Sequence, residues 1–474
     1  MVQELKPDIC VIGAGSAGLS LAAGAAQFGL DVVLIEKGRM GGDCLNYGCV
    51  PSKALIAAAG RARLAATAGG FGIGLGTPEI DFAAVMRHVR RTIADIAPND
   101  SAARFRGLGV TVIEAEARFS GPRRLDAGHC AVVARHFVVA TGAGPVVPPI
   151  AGLAETPYLT NETVFELTER PDHLVVLGGG PIGIELAQAF CRLGARVTVA
   201  EAESALGRDD AELAVVVLDR LQGEGVELRQ GARATAVEFR RDRFSLTLGT
   251  DAGGGQISAS HLLVATGRAP ATAGLGLEEA GIEYSRSGIV VDRTLRTTNR
   301  RVYAIGDVVG REQFTHVANY HAGLVLRSIL TRWPRRLSEA AVPRVTHTDP
   351  ELAWVGPTLE EARKRHGRVR IMRWPMSEND RARAERETGG MVKLVTDRRG
   401  RLVAGGIVAA GAGDLIQPLV LAITERLDVT ALTGMIVPYP TRGEVVKRAA
   451  YGYWAPILLK SRLPGLARFL VRHF

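Results

Sequence analysis

Cysteine is scarce, with five in 474 residues. So few cannot staple a disulfide scaffold, and they suit a reducing compartment, so a cytoplasmic location is expected. Long apolar runs are missing as well: no stretch reaches the ~18 uninterrupted apolar residues that a membrane-spanning helix needs. Compositional bias is weak. The 47% apolar and 23% charged content belongs to a globular chain and excludes long disorder or a collagen-like repeat. Lysine is rare, supplying seven of the 58 basic residues against 51 arginines. That skew, in an alanine-rich chain, reads as compositional drift rather than a surface built for nucleic acid. The net charge of +9 raises the question, and its distribution answers it. Residues 445–474 hold Lys447, Arg448, Lys460, Arg462, Arg468 and Arg472 and no acid, while residues 1–444 carry 52 basic against 49 acidic side chains. No nucleic-acid partner is expected. The tail also carries Tyr451, Tyr453, Trp454, Ile457, Leu458 and Leu459, then Leu463, Leu466, Leu470 and Phe474 at helical spacing. Packing against its own domain is the plain reading; contact with anionic lipid or an acidic partner is the sharper one.

What is present is a repeat. The length suggests about three domains, and two of them share a pattern. Gly13, Gly15, Gly18, Gly29 and Glu36 recur as Gly178, Gly180, Gly183, Gly194 and Glu201, each shifted by 165. Both segments read as an apolar strand, a glycine turn, an alanine-rich helix and a second strand ending in glutamate. The small apolar stretch from Gly13 to Leu30 is therefore a nucleotide turn and not a secretory core. The MVQELK lead carries Glu4 beside Lys6, and no export signal is expected. In each turn the first glycine permits the bend, the second lets a pyrophosphate approach, and the third lets helix and strand pack. The helix N-terminus holds the pyrophosphate, and the glutamate takes a ribose hydroxyl. Two fingerprints in register predict two bound dinucleotides. At Glu201 a carboxylate suits the free 2′-hydroxyl of NAD and repels the 2′-phosphate of NADP, with Arg196 and Arg208 as the counterweight.

Further strands run into Thr141-Gly142, into Gly267 and into Gly306-Asp307. Together they predict crossovers between two nucleotide domains, with Asp307 offering a carboxylate to a sugar-like chain. Between the first fingerprint and a long helix lies Gly41-Gly42-Asp43-Cys44-Leu45-Asn46-Tyr47-Gly48-Cys49-Val50-Pro51-Ser52-Lys53. Two cysteines five apart serve as packed thiols, metal ligands or a reversible disulfide. Zinc would want two more ligands, and no Cys or His lies close in sequence, so no metal site is expected. Pro51 marks a helix start just after Cys49, whose thiolate would gain from the helix N-terminus. A reversible disulfide fits best. Cys10, Cys130 and Cys191 read as packing residues.

On these motifs the chain resembles the pyridine nucleotide–disulfide oxidoreductases, the family of dihydrolipoamide dehydrogenase and mercuric reductase. The resemblance implies an α/β fold with two Rossmann-like dinucleotide-binding domains and a C-terminal α+β interface domain. It implies FAD on Gly13, Gly15, Gly18, Glu36, Thr141, Gly142 and Asp307, and NAD on Gly178, Gly180, Gly183, Glu201 and Gly267, NADP being second choice. It makes Cys49 the flavin-side thiol, Cys44 the exchange thiol, Lys53 the lysine beside the flavin, and Glu185 its partner. It divides the chain into 1–145 (FAD), 146–269 (NAD), 270–343 (FAD, central) and 344–474 (interface). A homodimer would bring Tyr439 and Glu444 to Cys44 of the partner subunit. The implied activity is dithiol–disulfide exchange, dihydrolipoamide dehydrogenase-like, on a small or protein-bound disulfide.

The pattern also departs from the family. Where its disulfide-reducing members carry His-Pro-x-x-x-Glu, this chain has Tyr439-Pro440-Thr441-Arg442-Gly443-Glu444. A tyrosine, titrating near pH 10, is no ready base at pH 7. Tyrosine here points toward mercuric reductases; the missing C-terminal Cys-Cys pair and N-terminal metal module point away from them. A peripheral NADH:quinone reductase is a further alternative, suggested by the paired fingerprints and the basic tail. His316, His321 and His347 are expected in ordinary packing or surface roles.

Overall fold

The computed structural model describes residues 3–249, 255–459 and 463–473. Of the basic tail, Lys460, Arg462 and Phe474 lie outside the described residues, as do the side chains of Ile457, Leu459 and Leu463. The chain forms two compact units. One comprises Met1–Gly178, Arg192–Arg196 and Arg233–Leu337; the other comprises Gly179–Cys191, Val197–Ala232 and Ser338–Phe474.

The first unit is built on a five-stranded parallel sheet in the order Val302–Ala304, His136–Val139, Ile9–Ile12, Val32–Glu36, Thr111–Glu114. Parallel strands are covered on both faces, so they read as continuous apolar runs such as ICVI and VVLIE. The two-residue period then divides them: Ile9, Val11 and Leu34 face one core with helix Ser16–Gln27, while Cys10, Ile12, Val33 and Ile35 face another with Phe119 and Phe137. Cys10 is fully buried there, and burial pushes its thiol up. Cys130 is buried on a strand at Cys130–Val132. Ala143–Pro145 pairs antiparallel with Arg268–Pro270, bringing together the turns that follow Thr141 and Gly267. In the same unit His173–Leu177 runs parallel to His261–Val264.

The second unit contains all but the last residue of helix Pro181–Arg192, where proline at the first position uses a site needing no N–H donor. Cys191, at its end, is half-buried and donates to the Glu224 carbonyl at 3.3 Å. The unit's main sheet is antiparallel, in the order Pro343–Thr346, Glu351–Val355, Leu402–Ala409, Met391–Thr396, Arg370–Pro375. Val392 and Leu394 point into a core with Leu419, Val445, Val446 and Tyr453. Lys393, between them on the strand, must point the other way. It is 3% exposed and its Nζ lies 2.8 Å from Asp210 and 2.8 Å from Glu212, which also binds Arg373.

The tail divides into two parts. Helix Glu444–Leu459 buries Val445, Val446, Ala449, Ala450 and Tyr453, as the plain reading expects. Helix Leu463–His473 instead leaves Leu466, Phe469, Leu470 and Val471 about half or more exposed. Among the described residues no helix is long and apolar enough to cross a membrane.

Candidate functional site

Each nucleotide turn has its own exacting geometry. Gly13 has φ +104°, and a Cβ there would lie 2.5 Å from the Ala140 carbonyl oxygen. Gly178 has φ +110°, and its Cβ would lie 2.4 Å from the Ala265 carbonyl oxygen. Only glycine tolerates both the conformation and the approach. Gly18 is equally constrained, since its Cβ would fall 1.9 Å from the Gly13 carbonyl oxygen. Gly15, by contrast, meets nothing nearer than Gly42 at 3.9 Å, so the cradle is open where a phosphate would approach. Gly15 is also the N-cap of helix Ser16–Gln27 and supplies no side-chain cap, leaving the helix N-terminus to an anion. Glu36 accepts from the Ala14 and Gly38 amides at 2.6 and 2.8 Å; Glu201 accepts from the Gly179 and Glu203 amides at 2.6 and 2.9 Å. Each carboxylate is thus held at its turn with lone pairs to spare for a ribose. These residues fit a dinucleotide at each turn.

Cys44 lies in the short helix Gly42–Asn46 and Cys49 opens helix Cys49–Thr67. The helix therefore starts at Cys49 itself, two residues before Pro51, because a proline inside the first turn lacks only an N–H that would have no helical partner. Both thiols are free. Cys49 is held down to about 6, first by the hydrogen bond from Cys44 and then by Thr315 and the Lys53 charge, against burial and Asp43. Thr315 Oγ1 is 3.5 Å from its sulfur. The same hydrogen bond, together with burial and the Cys49 charge, pushes Cys44 up. One proton shared unequally leaves a thiolate at Cys49 and a thiol at Cys44.

Around the pair sit groups that sequence reading missed. Nothing local marks Thr315, 266 positions away, as a neighbour of Cys49. Asn161 and Arg268 both bind the Asp43 carboxylate beside the cysteine loop. Asp307 is pushed up to about 6 by burial, with Arg268 opposing and Asp43 adding to the rise. Thr141 donates to the Ala271 carbonyl at 2.8 Å, and Gly142 and Gly267 take φ of +74° and +145°.

His316 stacks on Phe314 with ring centroids 5.2 Å apart. His321 is 1% exposed; its Nδ1 accepts the Gly306 N–H at 3.2 Å and its Nε2 has no hydrogen-bond partner. It braces the turn that presents Asp307. Burial, then the Arg311 charge, pushes its pKa down to about 4 from 6.5. The unfolded chain therefore takes a proton the folded one refuses. Stability is fully present above about pH 6.5 and is lost as the pH falls toward 4, by about 3 kcal/mol. The melting temperature of the native protein should drop more steeply across that window than that of His321→Gln. Equal slopes would refute the assignment.

In the second unit Glu185 is 5% exposed, and its Oε1 accepts the His347 N–H at 2.8 Å. Tyr439 is 68% exposed and donates to Asp380 Oδ2 at 2.9 Å, which raises its pKa further. Glu444 is paired with Arg448 at 2.6 Å. Among the described residues no group of three or more His, Cys, Asp or Glu could hold a metal ion.

Two dinucleotide turns and a polarised dithiol define a two-cofactor dithiol oxidoreductase. The pyridine nucleotide-disulphide oxidoreductase model matches residues 7–322, and the dimerisation-domain model of that family matches 342–450. The mercuric reductase of Streptomyces lividans is 38% identical over 97% of this chain and 98% of its own length. The dihydrolipoyl dehydrogenase of Geobacillus stearothermophilus is 33% identical over 94% and 96%. A solved copper(II) complex of the HOCl-induced flavoprotein disulfide reductase RclA from Escherichia coli superposes with a TM-score of 0.84 at 28% identity, covering 94% of this chain and 99% of that one. The chain belongs to the pyridine nucleotide-disulphide oxidoreductases. It is accordingly an FAD enzyme working with a nicotinamide nucleotide, and its dimerisation domain supports a homodimer.

Proposed function

We propose that the chain reduces a thiophilic acceptor at the expense of NADH, with a soft metal ion such as Hg(II) as the acceptor class. Tyr439 carries the reading. Standing where disulfide-exchanging relatives place a histidine base, it is a donor to Asp380 with a raised pKa. It cannot take the proton that oxidation of an incoming dithiol would release at neutral pH. Reduction of a soft cation needs no such base, because the cation itself displaces a thiol proton to water as the sulfur binds it. Mercuric reductases among the relatives support the same direction.

The residues divide the work as follows. Gly13, Gly15, Gly18, Glu36, Thr141, Gly142 and Asp307 hold FAD; Gly178, Gly180, Gly183, Glu201 and Gly267 hold NAD. FAD, when bound, supplies a two-electron relay from nicotinamide to the Cys44–Cys49 pair. Cys49 keeps the negative charge, which Thr315 and Lys53 stabilise, and Cys44, protonated at rest, gives its proton to water as its sulfur binds the acceptor. Residues 1–145 and 270–343 serve FAD, 146–269 serve NAD, and 344–474 form the interface that carries Glu185's neighbour His347, Tyr439 and Glu444.

Glu201 favours a second reading, since an NAD-selecting carboxylate also suits dihydrolipoamide dehydrogenation. An anaerobic panel separates the two. NADH oxidation by Hg(II) should exceed dihydrolipoamide-driven NAD reduction by at least about tenfold, and Tyr439→His should raise only the latter. Dihydrolipoamide turnover equal to that of Hg(II) would overturn the first reading.

We also propose that helix Leu463–His473 rests on an anionic lipid surface. Its exposed Leu466, Phe469, Leu470 and Val471 accompany Arg468 and Arg472, with no acid from 445 onward. Vesicles containing phosphatidylserine should retain the full chain and release a chain lacking 456–474. Failure of the intact protein to sediment with them would exclude it.

A further inference from the structure

Asp43 lies directly before Cys44, and its carboxylate is fastened on two sides. Oδ1 accepts from Asn161 Nδ2 at 3.0 Å, and Oδ2 lies 3.2 Å from Arg268 Nη2. The same Asn161 amide donates to the Tyr47 carbonyl at 3.3 Å, so one buried side chain ties the residue before Cys44 to the segment between the cysteines. A Cβ on Gly48 would stand 2.9 Å from Asp43 Oδ2, which places the carboxylate against the residue that precedes Cys49. Arg268, with 13% of its side chain exposed, also donates to the Ala143 carbonyl at 2.6 Å and lies 4.0 Å from Asp307. A single largely buried guanidinium therefore answers two carboxylates at the edge of the dithiol.

That arrangement matters for the electron count. Opening the Cys44–Cys49 disulfide breaks one S–S bond and takes two electrons. One proton goes to the Cys44 sulfur, and one negative charge stays on Cys49. A carboxylate beside the loop opposes that charge, and a guanidinium paired with the carboxylate cancels most of the opposition.

We propose that Asp43 and Arg268 are positioning residues that set the reduction potential of the Cys44–Cys49 couple, Asp43 holding it down and Arg268 holding it up. The proposal rests on reading the two cysteines as a redox couple. Neither residue touches the reacting sulfurs; each acts through the charge it places on the loop, while Asn161 fixes where that charge sits.

The FAD-loaded enzyme is equilibrated with mixtures of oxidised and reduced dithiothreitol, whose own dithiol supplies the two electrons by closing to its cyclic disulfide. The fraction of Cys44 and Cys49 open to alkylation is then read by mass. Asp43→Asn should make the pair about tenfold easier to reduce, which is about 30 mV. Arg268→Met should make it about tenfold harder, and Arg268→Lys should stay within about threefold of wild type by keeping the charge. The double Asp43→Asn, Arg268→Met variant should fall between the singles. A clamp acting only by rigidity would move both singles the same way, and that result overturns the proposal, as does an unchanged potential in both. Should Arg268→Met fail to fold or to keep FAD, Asp43→Asn against Arg268→Lys still decides, because only the first should shift. If the wild-type pair forms no disulfide at any mixture, the redox-couple reading itself fails, which is a different outcome from equal potentials.

Discussion

Cys49→Ser is expected to lower kcat/KM for any disulfide or thiophilic acceptor by at least about 10³-fold, the scale on which loss of a reacting nucleophile is felt. Hydride acceptance from NADH should persist, because the nucleotide turns at Gly13 and Gly178 do not involve the sulfur. The reason for the large effect is charge. At neutral pH the reduced pair keeps its thiolate on Cys49, held down to about 6 by the Cys44 hydrogen bond, Thr315 and Lys53. The sign follows directly: a lowered thiol is thiolate above about pH 6 and thiol below it. Alkylation at Cys49 in the reduced enzyme should therefore rise with a midpoint near 6. Cys44→Ala removes the largest stabiliser and should move that midpoint upward. Turnover in Cys49→Ser within tenfold of wild type would sink the assignment, as would a midpoint unmoved by Cys44→Ala.

Lys393→Met should cost about 3 kcal/mol or more of stability in denaturant unfolding, without altering nucleotide binding. The side chain is buried beneath two carboxylates. Removing one member of a buried pair leaves the other charged and unsolvated, a loss of about 3–5 kcal/mol. Glu212 keeps Arg373 as a partner, so the cost falls on Asp210. The same physics makes the double variant Lys393→Met, Asp210→Leu recover much of the loss, since an apolar replacement carries no charge to strand. A loss below about 1 kcal/mol in the single variant, or no recovery in the double, would contradict the geometry. The cluster also bears on acid sensitivity. Glu212 is depressed to about 2, first by the Arg373 hydrogen bond, so its contribution is present above about 4.5 and lost as the pH falls toward 2.

Much of the site is legible in the sequence. The glycine turns could be read because each depends on its own backbone: the positive φ of Gly13 and Gly178 and the approach of a strand-end carbonyl leave no room for another residue type. The apolar runs at Ile9–Ile12 and Val32–Glu36 were legible for a similar reason, since strands covered on both faces need no polar alternation. The cysteine loop was recognisable from thirteen consecutive residues. Cys10 and Cys130 were correctly read as packing residues from their place in apolar strands. The sequence puts the start of the helix after Cys49 slightly late, because Pro51 looks like a first helical residue when it is in fact inside the first turn.

What stayed hidden joins distant positions. Asp43 reads in sequence as one more loop residue, and Arg268 as one of 51 arginines; only their approach to 3.2 Å turns them into a charge pair beside the dithiol. Lys393 sits in a strand whose neighbours are apolar, and nothing local says that its opposite face carries Asp210 and Glu212. His321 looked like an ordinary helical histidine until its ring was found under the Gly306 amide. The basic tail divided in a way composition could not foresee, its first helix buried and its second presenting apolar side chains to solvent. The sequence alone determined the two glycine turns and the closely spaced cysteine pair, because short spacing and backbone restriction are local properties. The tertiary structure alone decided which residues distant in sequence stabilise and balance the charge that Cys49 keeps, because electrostatic energy depends on distance in space and the partners lie from four to 266 residues apart.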